Sequence, residues 1–201
     1  MVVQVTQTKG FLGMSHGIKG FVVAAVALAM LAIPAPTNAA ASPERFVEDV
    51  TRQVLAAARS RSSKRFRRVL RRHADVRAMA NFALGRYRNR LPKSRRAEYY
   101  RLTEKKIVQF FGDYAGSLRG DGVHIRRVQK LSATQYLVQT KLTGPGGGTP
   151  VSWKISTRKG YKVHDVRVAG VWLGQLMRTT FVGEIRRNNG QFKKLFAYLK
   201  Q

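Results

Sequence analysis

The sequence has no cysteine and little acid: 10 Asp and Glu stand against 38 Lys and Arg in 201 residues. Without cysteine there can be no disulfide framework, no thiolate nucleophile and no cysteine-based zinc site. The ten acids are scattered, so no carboxylate pair is suggested, and a formal net charge of +28 excludes an acidic or neutral surface. Other chemistry is missing too. There is no Gly-x-Ser-x-Gly, and the glycine run 144–148 lacks a following Lys-Ser/Thr, so it reads as a hairpin turn and not as a phosphate cradle. His73 and His124 have no second ligand at metal spacing, so no metal site is expected, and no cofactor. His164 and Asp165 are adjacent on a predicted strand and point to opposite faces, so they form a dyad only if the strand kinks. What the chain does have is 44 % hydrophobic residues, too many for a disordered basic tail. A real apolar core sits inside a cationic shell.

The longest apolar run, Gly20 to Ile33, is short of the roughly 20 residues a membrane span needs. A weakly basic stretch precedes it; Pro34, Pro36 and the small residues Ala39-Ala40-Ala41 follow. That order predicts a secretory signal peptide over residues 1–41, cut after Ala41 with Ala39 as the alternative, and Met14 as an alternative start. Export to the periplasm follows. Only Lys9 and Lys19 leave with it, so residues 42–201 keep 36 basic and 10 acidic residues, +26 in all. At that size about 70 % of the unfolded surface is buried, enough for one domain with one sizeable core.

Along 42–201 the periodicity changes twice. Ser42-Pro43-Glu44 opens a helix as N-cap, first-turn proline and dipole-matched acid, with Phe46, Val50, Val54 and Ala57 as its stripe. A second amphipathic segment, 59–72, sets Phe66, Val69 and Leu70 among seven Arg and Lys from Arg61 to Arg72. Asp75 caps a helix over 76–84 that Gly85 ends. Tyr100, Thr103, Ile107, Phe110 and Tyr114 mark one face of a long helix. After Gly120 the period becomes two, predicting four antiparallel strands at 123–130, 134–143, 150–158 and 161–168. Tyr136, Val138, Thr140 and Leu142 share one side of the second; Val151, Trp153, Ile155 and Thr157 share one side of the third. A helical region from Gly170 and a terminal helix around Phe192–Leu199 complete the chain. Helices, then an antiparallel sheet, then helices give an α+β fold, whose curved sheet encloses a concavity.

The large residues expected on its inner surfaces are Phe82, Phe110, Tyr114, Tyr136, Val138, Trp153, Val163, Trp172, Leu176 and Phe181, with Leu84. Together with the charge they point to an amphiphilic, anionic ligand: tails in the pocket, a phosphate among Arg and Lys at the rim. The same charge favours an anionic membrane surface.

Several stretches then resemble one family. Asp75-Val76 through Ala80, Phe82, Leu84-Gly85-Arg86-Tyr87 is similar to the D-V-x-x-x-A-x-F-x-L-G-R-Y stretch of the MlaC / toluene-tolerance auxiliary family. Arg95–Tyr99, Tyr161–Val166 and Gly170–Leu173 followed by Arg178 and Phe181 resemble its later segments in order, across about 43–199. The resemblance implies an NTF2-like curved sheet of about four strands around an apolar, lipid-binding pocket. It also implies a non-enzymatic periplasmic carrier of phospholipid, the soluble component of a lipid ABC transport system that maintains outer-membrane lipid asymmetry. Its partners would be an inner-membrane transporter complex and an outer-membrane lipoprotein complex. A hopanoid-associated branch makes a polycyclic cargo the alternative. Arg178, in a matched segment, is the candidate head-group contact. Trp172 stands where the family has Ser, and Tyr161 where it has Trp. Two other readings stay open on the residues: a basic nucleic-acid binder, and an NTF2-like enzyme using Asp165 or His164. Export and the lack of aromatics interleaved with the basic runs argue against a nucleic-acid partner.

Overall fold

The computed structural model of the chain describes residues 42–116, 118, 120–144 and 148–201; the expected leader, 1–41, and the centre of the glycine turn, 145–147, lie outside them. Four helices come first: α1 (Pro43–Arg59), α2 (Ser63–His73), α3 (Val76–Ala83) and α4 (Arg96–Tyr114). Their starts follow local chemistry. The Ser42 hydroxyl accepts from the Arg45 N–H, Ser62 from Arg65, and the Asp75 carboxylate from Ala78 at 2.8 Å. These caps satisfy backbone donors that a helix's first turn leaves without partners. Gly85 stops α3 in the left-handed region at φ +52°; a Cβ there would also lie 3.0 Å from the Arg178 guanidinium. A 3₁₀ segment, Gly85–Arg90, carries the chain toward α4.

The buried face of α4 is centred on Tyr99, Leu102, Thr103, Ile107 and Phe111. This is rotated from the expected face: Tyr100 and Phe110 are half-buried and Tyr114 is exposed. The helix packs against neighbours on more than one side, so a single stripe does not describe it.

The sheet has five strands in sequential antiparallel order: β1 (Gly122–Ser132), β2 (Gln135–Thr143), β3 (Pro150–Ser156), β4 (Lys162–Val168) and β5 (Val171–Trp172). The expectation of about four is corrected by β5, which pairs with β4 through a two-residue turn. Ala169 and Gly170 both have positive φ, 47° and 88°, the backbone that right-twisted hairpins favour. The helix expected from Gly170 therefore begins later, as α5 (Leu173–Arg186), followed by α6 (Lys193–Lys200). Val138, Thr140 and Leu142 of β2 and Val151, Trp153 and Ile155 of β3 are all buried on one face, as their alternation requires.

Strand β4 is not regular. Trp153 faces Val166 and Lys154 faces Asp165, but Ile155 faces Val163, so His164 is an extra residue, a bulge. The bulge keeps Val163, Val166 and Val168 on the inner face despite their uneven spacing. The buried apolar residues form separate clusters. One joins α3, α4, α5 and α6; one joins α1 to the sheet; a small one joins α1 to Phe111 of α4.

Candidate functional site: an apolar cavity between sheet and helices

The clusters do not fill the space between them. A cavity of about 540 Å³ lies there, within the ~300–1,000 Å³ usual for ligand sites. The sheet supplies one side with Leu142, Val151, Trp153, Val163, Val166 and Val168. Opposite are Val50, Val54 and Leu55 of α1, Phe66, Val69 and Leu70 of α2, and Ile107, Phe110, Phe111 and Tyr114 of α4. Met79, Leu173 and Leu176 add to the lining from α3 and α5. Phe66 and Phe111 stack at 3.6 Å between centroids, which fixes α2 to α4 along the wall.

Several polar groups in or behind this wall have partners. The Thr51 hydroxyl donates to the Val47 carbonyl at 2.7 Å. The Trp153 indole N–H donates to Thr140 Oγ1, which donates to the Val151 carbonyl. His73 Nε2 lies 3.3 Å from Gln53 Oε1. Burial lowers the His73 pKa from 6.5; Asp49 opposes this, and Arg72 and Lys162 add to it. The imidazole is therefore neutral at pH 7. A lining of this kind presents dispersion contacts and little hydrogen bonding, so it suits an apolar guest.

Tyr114 and Val171 line the cavity yet are 58 % and 56 % exposed, which places its opening between the end of α4 and the β4–β5 turn.

Of the residues expected at the site, the structure brings Phe110, Tyr114, Trp153, Val163 and Leu176 to the cavity. Six lie elsewhere. Val138 is fully buried and Tyr136 half-buried in the cluster where α1 packs directly on the sheet. Phe181 is buried in the helical cluster, edge-on to Tyr99 and Tyr198. Phe82 is half-exposed beneath the Arg178 guanidinium, 5.2 Å from its ring, so Arg178 sits outside the lining as well. Trp172 pairs with Arg167, and Lys154 Nζ lies 4.3 Å from its ring on the outer side of the sheet. The contributions of α1 and α2 were missed as site residues. Their apolar stripes are plain in the sequence, but a stripe does not say whether it faces side chains or a void.

Asp165 points away from the cavity, on the side of Lys154. Its Oδ1 accepts from the Gly174 and Val166 N–H groups at 2.8 and 2.9 Å. Burial raises its pKa, against those two hydrogen bonds and Lys154. His164 Nε2 is 3.6 Å from Asp75 Oδ2, not from Asp165. Neither residue lines the cavity. Several aromatic rings already carry the protein's own cations, including Arg77 over Tyr100, Arg95 over Phe196 and Lys106 over Tyr198. Among the described residues no group of three His, Cys, Asp or Glu could hold a metal ion, and no helix is long and apolar enough to cross a membrane.

Residues 44–201 match the family model described as MlaC protein. The fold is also similar to that of a phospholipid-binding protein from Ralstonia solanacearum, solved in complex with a phospholipid. The TM-score is 0.69 at 16 % identity, over 80 % of this chain and 96 % of that one. No curated protein matches the sequence.

Proposed function

We propose, from the premise that this chain belongs to the MlaC protein family, that it is a non-enzymatic lipid carrier whose cavity takes the acyl chains of a phospholipid. The observation that carries this reading is the 540 Å³ void itself, lined by aliphatic and aromatic side chains. Burying methylenes gives about 0.8 kcal/mol each, so one long acyl chain supplies on the order of 10 kcal/mol. The head group then stays at the opening near Tyr114 and Val171, where solvent is reached. The similar fold that holds a phospholipid in the Ralstonia protein supports the same cargo class.

The family and the expected leader over 1–41 support a periplasmic shuttle within a lipid ABC transport system, between an outer-membrane lipoprotein complex and an inner-membrane transporter. Phospholipid is the proposed cargo and hopanoid the competitor. The test is transfer from vesicles. The exported protein is incubated with phospholipid vesicles, with or without hopanoid, and re-isolated for lipid analysis. About one phospholipid per chain is expected, undisplaced by hopanoid. Retention of hopanoid alone would change the cargo; retention of neither would refute the carrier role.

A further inference from the structure

The cavity lining reaches solvent at Tyr114 and Val171, two of the four large apolar side chains most exposed among the described residues; the others, Phe82 and Leu131, lie away from it. Beside Val171, Trp172 has two exposed cations near its ring, Lys154 at 4.3 Å and Arg167 at 5.9 Å. Asp165, which faces Lys154 across β3 and β4, is buried and accepts two backbone hydrogen bonds. The opening thus has an aliphatic tip and one amphipathic ring, and on the outer face of the sheet beside Val171 stand a second ring, Trp172, and the two exposed cations, on a chain with 38 basic and 10 acidic residues.

Tyr and Trp rings settle at the headgroup level of a bilayer, and Lys and Arg are drawn to anionic lipid surfaces. A salt-borne contact with an acidic protein would not require Val171 to project. We infer that the molecule docks opening-first on an anionic bilayer surface. Val171 and Tyr114 enter the boundary between headgroups and acyl chains, while Lys154 and Arg167 meet lipid phosphates. The inference rests on the carrier reading: a tail that moves directly between cavity and bilayer never crosses water.

The test is flotation of the full exported protein with vesicles of phosphatidylglycerol and phosphatidylcholine, against phosphatidylcholine alone. The double variant Lys154→Glu/Arg167→Glu is compared with Lys64→Glu/Arg68→Glu, the same charge change on the exposed face of α2. Wild type is expected on the anionic vesicles only. The rim reversal should lower binding about tenfold or more and the α2 reversal less than about twofold. Val171→Asp should also weaken binding. Circular dichroism confirms that each variant folds. Equal losses from both reversals would show delocalised attraction and overturn the inference, as would no binding to anionic vesicles, which would leave an acidic protein as the partner. Cargo is measured on the same samples. Cargo present without docking refutes docking alone, and docking without cargo refutes the carrier reading alone.

Discussion

Asp165 caps a helix that is not its own. Its carboxylate accepts from Gly174 in the first turn of α5, so a strand residue satisfies a helix donor and matches the positive end of the dipole. Gly174 makes room: a Cβ there would lie 2.8 Å from Asp165 Oδ2. Asp165→Ala should cost about 1–3 kcal/mol by denaturant unfolding, because two N–H groups lose their acceptor. Asp165→Asn, which keeps an acceptor oxygen and removes a charge that burial disfavours, should cost less. Equal losses would contradict this role. The sequence left Asp165 open as a possible acid or base. It could not name α5 as the helix that Asp165 caps, since that depends on where the β4–β5 turn delivers the chain.

His73 gives the pH prediction at this scale. Its folded-state pKa lies below 6.5, so between that value and 6.5 the unfolded chain binds more protons. The stability from keeping it neutral is present above 6.5 and lost as pH falls through the lowered folded value. Urea midpoints of wild type should fall with acidification in that window more steeply than those of His73→Gln. Parallel pH profiles would exclude His73 as the source.

Among the elements, β4 determines how much of the sheet faces the cavity. The apolar phase in Val163-His164-Asp165-Val166-Arg167-Val168 shifts from odd to even positions, and the bulge at His164 absorbs the shift. That phase break is legible in the sequence, although strict alternation reads through it. Deleting His164 should force Val163 or the Val166–Val168 pair to the outer face. The deletion should abolish cooperative thermal unfolding by circular dichroism, whereas His164→Ala keeps it. A deletion variant that unfolds like wild type would show that the register is not set here. The two residues of β5 are too short for any periodicity to reveal. The face of α4 was legible only in part, with Thr103 and Ile107 buried as expected and Tyr100 and Tyr114 not, because a helix packed on two sides has no single stripe. The caps at Ser42 and Asp75 and the inner faces of β2 and β3 were legible, since local chemistry fixes them.

For the whole molecule, the organising feature is a core in separate clusters with an unfilled hollow between them. Charge contributes little to the fold outside the Glu104 contacts with Arg67 and Arg71, which join α2 to α4. Local pairs such as Arg52–Asp49, exposed on both sides, contribute little. An apolar stripe on α1 predicts burial but not what it is buried against. The fold class therefore leads one to expect a hollow, while no pattern of residues along the chain specifies it. Val54, half-buried on α1, lines it. Val54→Phe should leave the unfolding midpoint unchanged or higher and reduce lipid retained on purification. In a solid core the same change would cost about 1–3 kcal/mol.

The central claim, that this hollow holds lipid, is tested most directly by native mass spectrometry of the purified protein. A population one lipid mass heavier than the bare chain, diminished in Val54→Phe, is the predicted result. Bare chain alone, from cells and after incubation with vesicles, would contradict it.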